Sequence, residues 1–390
     1  DEDGIRRTCR QLKDGFAGIE RFREYYAVKA LPNPAILKIM AEEGFGFDCS
    51  SATELFLARE VGGRGEDIMF TSNNTSERDF LLAENDGGCI LNLDDLSLLD
   101  KVPRIPDTIC FRYNPGELRG SNDIIGKPLE AKYGVSHEQI IEAYRRAKDL
   151  GVKTFGIHTM LASNELNYRY MVQTSQMLLD LVEEIGEKLG IRFDFINIGG
   201  GLGIPYRPED PPFNIAKMAQ EITLQFHSFQ EKHNYMPALY MESGRFMTGP
   251  HGVLVTRAIN RKSIYRTYIG VDACMTALMR PAMYGAYHHI DVLGKNTEEK
   301  MEVVDVVGSL CENNDKFAIQ RELPYITDGD LLIIQDTGAH GHAMGFNYNG
   351  KLRPQELLLR ENGAVERIRR AENADDYFQT LHFEKSVLEL

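Results

Sequence analysis

No stretch of this sequence is apolar for long enough to cross a membrane as a helix, and no signal peptide opens it. A cytoplasmic enzyme or binding protein, with no membrane partner, is therefore the expected class. Basic residues are in deficit: 44 Lys and Arg stand against 58 Asp and Glu, a formal net charge of −14. That balance argues against a nucleic-acid partner or an anionic membrane surface, yet leaves room for a small anionic ligand held by local basic groups. Cysteines are few and scattered, at Cys9, Cys49, Cys89, Cys110, Cys274 and Cys311. None forms a C-x-x-C pair, so neither a metal knuckle nor a redox motif is suggested and no metal is expected. Most sit in apolar surroundings, as reduced core cysteines do. Tryptophan and low-complexity segments are absent.

What is present is a chain of 390 residues, long enough for two domains. To about residue 250, strand-like and helix-like segments alternate. "YYAVKA" precedes "NPAILKIMAEEG", "FGFDCS" precedes "SATELFLAREVG", "CILNL" precedes "DDLSLLDKV", and "FDFINIGGG" precedes "NIAKMAQEITLQFHSFQEKH". Ser50 or Ser51 is a plausible N-cap. About eight such units call for a parallel sheet with helices outside, and favour a closed (β/α)8 barrel over an open doubly wound sheet. After residue 250 the rhythm changes to short strand candidates, among them "GVLVTRAINRKSI", "MEVVDVVGS", "DLLIIQDTG", "ELLLREN" and "AVERIRRAE". The expected organisation is a barrel over 1–250 and a mainly antiparallel β domain over 251–390.

A barrel carries its active site at the C-terminal ends of its strands. Four features fall at such ends: Lys29, His158, the run Gly199-Gly200-Gly201, and Glu242. Lys29 sits in an otherwise apolar run, where an ammonium is expensive to desolvate. It either snorkels outward or works as a buried amine of lowered pKa that forms a Schiff base with an aldehyde. His158 reads either as a satisfied core histidine or as a flat ring stacked on a cofactor. The glycines after "INI" read as a tight turn or as a backbone cradle for a phosphate, although their spacing is not the dinucleotide pattern. In "MESGRF", Glu242 and Arg245 offer a carboxylate for a protonated ring nitrogen and a cation for an anion. Within the β domain, Arg280 with Tyr284 could clamp a carboxylate. Cys311 and Glu312 lie between apolar strands, and "DTGAHGHAMGF" reads as a loop at a domain boundary. His288-His289 is discounted as a metal pair, because neighbours on a strand point to opposite faces.

Taken together, "YYAVKALPNPAIL", "GFDCSSATEL", "RYNPG", "KYGV", "GGGLGIPY", "ESGRF", "RPAMYGAYHHI", "CENNDKFA" and "GDLLIIQDTGAH" resemble the fold-type III pyridoxal-phosphate decarboxylases. In that family an alanine-racemase-like barrel is joined to a C-terminal β-barrel domain. The likeness runs to about residue 385 and is greatest for the diaminopimelate decarboxylases. It implies pyridoxal 5'-phosphate as cofactor and decarboxylation of meso-2,6-diaminopimelate to L-lysine, the last step of lysine biosynthesis. Another basic amino acid (ornithine, lysine or arginine) is the alternative substrate, and a silent pyridoxal-binding homologue the alternative role.

By the same resemblance, Lys29 would hold the cofactor covalently, His158 would stack on its ring and Glu242 would pair with the ring nitrogen. Gly199, Gly200, Gly201, Ser243, Gly244 and Arg245 would surround the phosphate end. Arg245, Arg280, Tyr284 and Glu312 would bind substrate. Cys311 would donate a proton into the site of a partner subunit, making a homodimer with shared sites. Three departures stand out. Ser243 replaces the proline of the family's E-P-G-R. His158-Thr159-Met160-Leu161-Ala162 replaces H-I-G-S-Q, with Ser163 a stand-in for its serine. His340 replaces a tyrosine that touches both cofactor and substrate. The family's N-terminal segment is also missing, as in a truncated chain.

Overall fold

A computed structural model describes residues 1–85, 87–118, 127–295 and 300–382. The chain divides into two compact units, Glu2–His251 and Gly252–Leu390.

In the first unit eight parallel strands close into a barrel: β1 (Phe22–Ala27), β2 (Gly46–Cys49), β3 (Gly65–Phe70), β4 (Cys89–Leu93), β5 (Thr108–Arg112), β6 (Thr154–His158), β7 (Phe193–Asn197) and β8 (Ala238–Met241). Closure is direct, with Phe22, Arg23 and Glu24 of β1 opposite Leu239, Tyr240 and Met241 of β8. The strands read as apolar runs because a barrel strand is covered by side chains within and helices without. Tyr25, Met69, Ile90, Cys110, Phe195 and Ala238 form a buried cluster. One glycine is fixed by this packing. Gly156 of β6 faces Phe195 of β7 in register, and a Cβ at 156 would lie 1.9 Å from the Phe195 ring.

The helices begin where their sequences provide caps. Asn33 accepts from the Ala35 amide with Pro34 in the first turn, Ser51 accepts from the Glu54 amide, and Ser76 with Asp79 forms a capping box. Helix Tyr168–Leu189 ends at Gly190 with φ 62°. "DDLSLLDKV" was expected to be a full helix but forms only a 3-10 turn, Leu96–Lys101, capped by Asp95.

The second unit carries β9 (Leu254–Ser263), β10 (Thr267–Val271), β11 (Ile290–Val292), β12 (Met301–Val307), β13 (Lys316–Pro324) and β14 (Leu331–Ile334) in the order β11-β14-β9-β10-β12-β13. All neighbours are antiparallel except β10 and β12. Its core includes Ile269, Val271, Val304, Val306, Leu332 and Ile334. A ribbon of β15 (Glu356–Leu359) and β16 (Val365–Arg369) follows. Strand β13 has no counterpart in the sequence reading. Gln320 within it has φ 46° and the pairing with β12 shifts register there, so the period-two alternation that marks a strand is broken.

Candidate active site

Strand β1 ends at Ala27, and Lys29 follows in a single 3-10 turn, Val28–Ala30. The sequence left Lys29 either snorkelling outward or working as a buried amine of lowered pKa. The Lys29 side chain is 51 % exposed, and its Nζ stands 3.5 Å from Oδ2 of Asp48, a fully buried carboxyl on β2. Desolvation in the barrel mouth works against the ammonium. The carboxylates of Asp48, Glu242 and Glu54 together outweigh it, so the Lys29 pKa is raised.

Asp48 is the counterpart of this. Burial and the nearby Glu242 push its pKa up to about 7, against an attraction from Lys29. The Thr71 side chain, like Lys29, works to hold it down. Glu242, just beyond β8, is 6 % exposed. Its Oε1 accepts from Asn197 Nδ2 at 2.7 Å, and its Oε2 lies 3.1 Å from His158 Nε2. Burial alone would raise the Glu242 pKa, but His158, Lys29 and Asn197 hold it below the usual carboxylate range. His158 closes β6 and is fully buried, with Nδ1 unpartnered among the described residues.

The glycine loop is set by close approach. Asn197 Oδ1 accepts from the Gly199 amide at 2.9 Å, and Met160 Sδ lies 3.3 Å from the Gly200 nitrogen. Gly199 and Gly201 have φ 70° and 101°. A Cβ at 199, 200 or 201 would come within 2.2–2.4 Å of the carbonyl oxygens of Thr159, Glu242 and Ala162 respectively. The loop is thus clamped between the segment after β6 and the segment after β8. A short helix, Gly244–Thr248, follows Ser243, and Arg245 Nη1 donates to the Tyr206 hydroxyl at 2.6 Å.

Lys29, His158, Gly199–Gly201 and Glu242–Arg245 therefore all lie at or just past strand ends on one rim of the barrel. Asp48, Asn197, Glu24 and Arg112 join them without having been singled out. Arg112, at the end of β5, is 7 % exposed and stacks over the Tyr133 ring at 4.3 Å. Burial lowers its pKa against the opposing pull of Asp94. Arg112, Asp48 and Asn197 each stand at or next to a strand end, the signal that could have flagged them.

The remaining residues lie in the second unit. Arg280 is 4 % exposed at the start of helix Arg280–Tyr284, whereas Tyr284 at its end is 49 % exposed. Arg280 Nη1 is 2.7 Å from Nε2 of the fully buried His288, whose Nδ1 is 2.8 Å from the Gln335 carbonyl. The guanidinium can only donate, so His288 accepts from it at Nε2 and donates from Nδ1. Cys311 is exposed on the loop between β12 and β13, where its amide donates to Asn349 Oδ1 at 2.7 Å. Glu312 Oε1 accepts from the Asn314 amide at 3.1 Å, and buried Asp315 organises the loop by accepting from the Leu310 and Met275 amides. His340 has φ 56°.

Residues 2–249 match the model of the pyridoxal-dependent decarboxylase pyridoxal-binding domain. The chain belongs to the pyridoxal-dependent decarboxylase family. Protein TabA of Pseudomonas amygdali pv. tabaci is 46 % identical over 97 % of this chain and 89 % of its own length. The diaminopimelate decarboxylase of Methanothermobacter thermautotrophicus is 38 % identical over 96 % of this chain and 89 % of its own. Among solved structures, the diaminopimelate decarboxylase of M. jannaschii superposes with a TM-score of 0.89 at 28 % identity, covering 100 % of this chain and 92 % of that one. The same enzyme has been solved with L-lysine. The fold is the family's barrel joined to a mostly antiparallel sheet domain, and its cofactor is pyridoxal 5'-phosphate.

The rim residues fit that cofactor. Each Glu242 oxygen has one neighbour of hydrogen-bonding type, and a carboxylate has about four acceptor sites, so a ring N–H can still be accepted. His158 Nδ1 is a buried polar atom with no hydrogen-bond partner among the described residues, as befits a site built for a polar ligand. Lys29 presents an amine beside them. Among the described residues no helix is long and apolar enough to cross a membrane, and no cluster of His, Cys, Asp and Glu could hold a metal ion.

Proposed function

We propose that this decarboxylase converts meso-2,6-diaminopimelate to L-lysine in a dimer with shared active sites. The observation that carries the reading is the rim cluster itself: an amine, Lys29, facing Asp48, with Glu242 held by Asn197 and His158. Pyridoxal phosphate, when bound, supplies an aldehyde for amines and a protonated ring that takes up the electron pair left when CO2 departs.

Lys29 would anchor that group through Nζ. Glu242, kept ionised, would hold the proton on the ring nitrogen. His158 would lie against the ring, oriented by its bond to Glu242. Gly201 and Gly244 would receive the phosphate through backbone amides and Arg245 through its guanidinium, while Gly199, Gly200 and Ser243, whose amides are given to Asn197, Met160 and Glu24, would shape the cradle around it. Arg245, Arg280, Tyr284, Glu312 and His340 would contact substrate. Arg280 supports a dicarboxylic substrate, because a buried guanidinium aligned by His288 is suited to a second carboxylate. Cys311 would return a proton to the carbon that loses CO2. Its exposure in a single copy supports delivery to a second copy of the chain.

The likeness to diaminopimelate decarboxylases at 38 % identity favours this substrate over ornithine, lysine or arginine, while the 46 % identity to Protein TabA makes a direct assay essential. Purified holoprotein should release CO2 and form lysine from meso-diaminopimelate at least a hundredfold faster than it acts on those three amino acids. Preference for any of them would overturn the substrate reading, and absence of turnover on all four would point to a silent homologue.

A further inference from the structure

Glu24 is an acid where the barrel has no obvious use for one. It lies on β1 opposite Met241, the residue before Glu242, and is 1 % exposed. Its Oε1 accepts from the Ser243 amide. Its Oε2 and the Ser243 hydroxyl are buried without hydrogen-bond partners among the described residues. Ser243 joins Glu242 to the short helix that begins with Gly244 and Arg245. That helix start is pressed onto the turn bearing Lys29, since a Cβ at 244 would come within 2.7 Å of the Ala30 Cβ and 3.0 Å of the Ala27 Cβ.

We propose that Glu24 is a positioning residue: by accepting the Ser243 N–H it fixes the Glu242–Ser243 peptide, which carries Glu242 and leads into the short helix that bears Arg245. Burial, with Glu242 and Asp48 nearby, pushes its pKa well above the carboxylate range. Ser243 is what makes the contact available. Proline at this position has no N–H to give. A proline at 243 would put a ring carbon where the N–H now faces Glu24 and so delete the hydrogen bond. Glu24 thus accepts an N–H that a proline at 243 would not have.

The inference rests on Glu242 being the ring-nitrogen partner, and its test separates the two. Glu24→Gln, Glu24→Leu, Ser243→Pro and the double variant Glu24→Leu/Ser243→Pro would be compared, with Glu242→Gln as a control. Cofactor affinity would be read by titrating stripped protein with pyridoxal phosphate in absorbance, alongside melting temperature, kcat and KM. Glu24→Gln keeps an acceptor and should stay within threefold of wild type. Glu24→Leu and Ser243→Pro should each lose tenfold or more in cofactor affinity and in kcat, with KM within threefold. The double variant should be no worse than the poorer single one, because both changes remove the same bond.

Wild-type cofactor affinity and kcat in Glu24→Leu, Glu24→Gln as impaired as Glu24→Leu, or losses that multiply in the double variant would each overturn the proposal. Should Glu24→Leu fail to fold, Ser243→Pro carries the test, since it removes the amide and leaves the acid. If instead Glu242→Gln leaves spectrum and turnover unchanged, the reading of Glu242 has failed rather than that of Glu24.

Discussion

Asp48→Asn isolates the energetic cost of building this site. The Asp48 carboxyl is fully buried, and its pKa stands at about 7 instead of the ordinary 3.8. An acid whose folded pKa lies above its unfolded one binds its proton more tightly in the folded state. Its contribution to stability is whole below the unfolded value and is lost as pH rises through the folded one. At 1.36 kcal/mol per tenfold, the full loss is about 4 kcal/mol, reached above pH 8. Between pH 5 and pH 8 the change amounts to roughly 2–3 kcal/mol. Asparagine cannot titrate. Any fixed packing cost of the amide is the same at every pH, so the slope is the readout. In cofactor-stripped protein, the melting temperature of Asp48→Asn relative to wild type should therefore climb by about 5–10 °C from pH 5 to pH 8 for a unit of this size. Differential scanning calorimetry at four pH values would measure it. A gap that stays constant with pH, or that closes toward pH 8, would refute the assignment of a proton-retaining acid to position 48.

Four further outcomes are expected. Lys29→Ala should be colourless with at most trace activity, and a borohydride-reducible adduct elsewhere on the chain would show that another amine holds the cofactor. Glu242→Gln should fold and bind cofactor but turn over about a thousandfold more slowly, equivalent to ~4 kcal/mol of barrier, as measured by single-turnover kinetics. Gly156→Ala should destabilise the barrel by at least about 1–3 kcal/mol, because its Cβ has no room beside Phe195, and urea titration would register this as a lower midpoint. Lys29→Ala mixed with Cys311→Ala should recover about a quarter of wild-type activity under random exchange in a two-fold dimer. No recovery, with subunit exchange verified, would mean each chain completes its own site.

The barrel and the positions of its polar rim residues were legible in the sequence because both depend on short-range signals. Apolar runs alternating with capped helices announce βα units, and Lys29, His158 and Glu242 stand where those runs stop. What could not be read were relations between residues distant in the chain. His158 and Glu242 are 84 residues apart, and nothing local to either shows that Nε2 of one meets Oε2 of the other. The state of Lys29 could not be read for the same reason. An apolar run allows an outward or a dry amine, and Asp48 and Glu242, brought in by β2 and β8, set the field it feels. Glu24 escaped notice because a lone acid in a strand reads as a solvated edge until its partner, 219 residues on, is seen. In the β domain, Arg280 was picked out but its alignment by His288 was not.

The departures from the family pattern look different once the glycine loop is in view. Where H-I-G-S-Q would be expected, the chain has His158-Thr159-Met160-Leu161-Ala162, and each of its altered side chains is spent on packing. Thr159 Oγ1 donates to the Tyr113 carbonyl at 2.8 Å. Met160 Sδ takes the Gly200 amide, and Leu161 and Ala162 are buried. The carbonyls of Thr159 and Ala162 press on Gly199 and Gly201 so closely that no side chain fits there. The same residues that replace the usual serine thus hold the glycine loop in a fixed shape. A phosphate received by such a loop would meet a cradle whose shape is fixed beforehand, with the Gly199 and Gly200 amides holding the loop itself. On the opposite flank Ser243 does the equivalent through Glu24. Both departures therefore replace direct contacts by support for the backbone, which is why they can leave the rim cluster of Lys29, His158 and Glu242 intact.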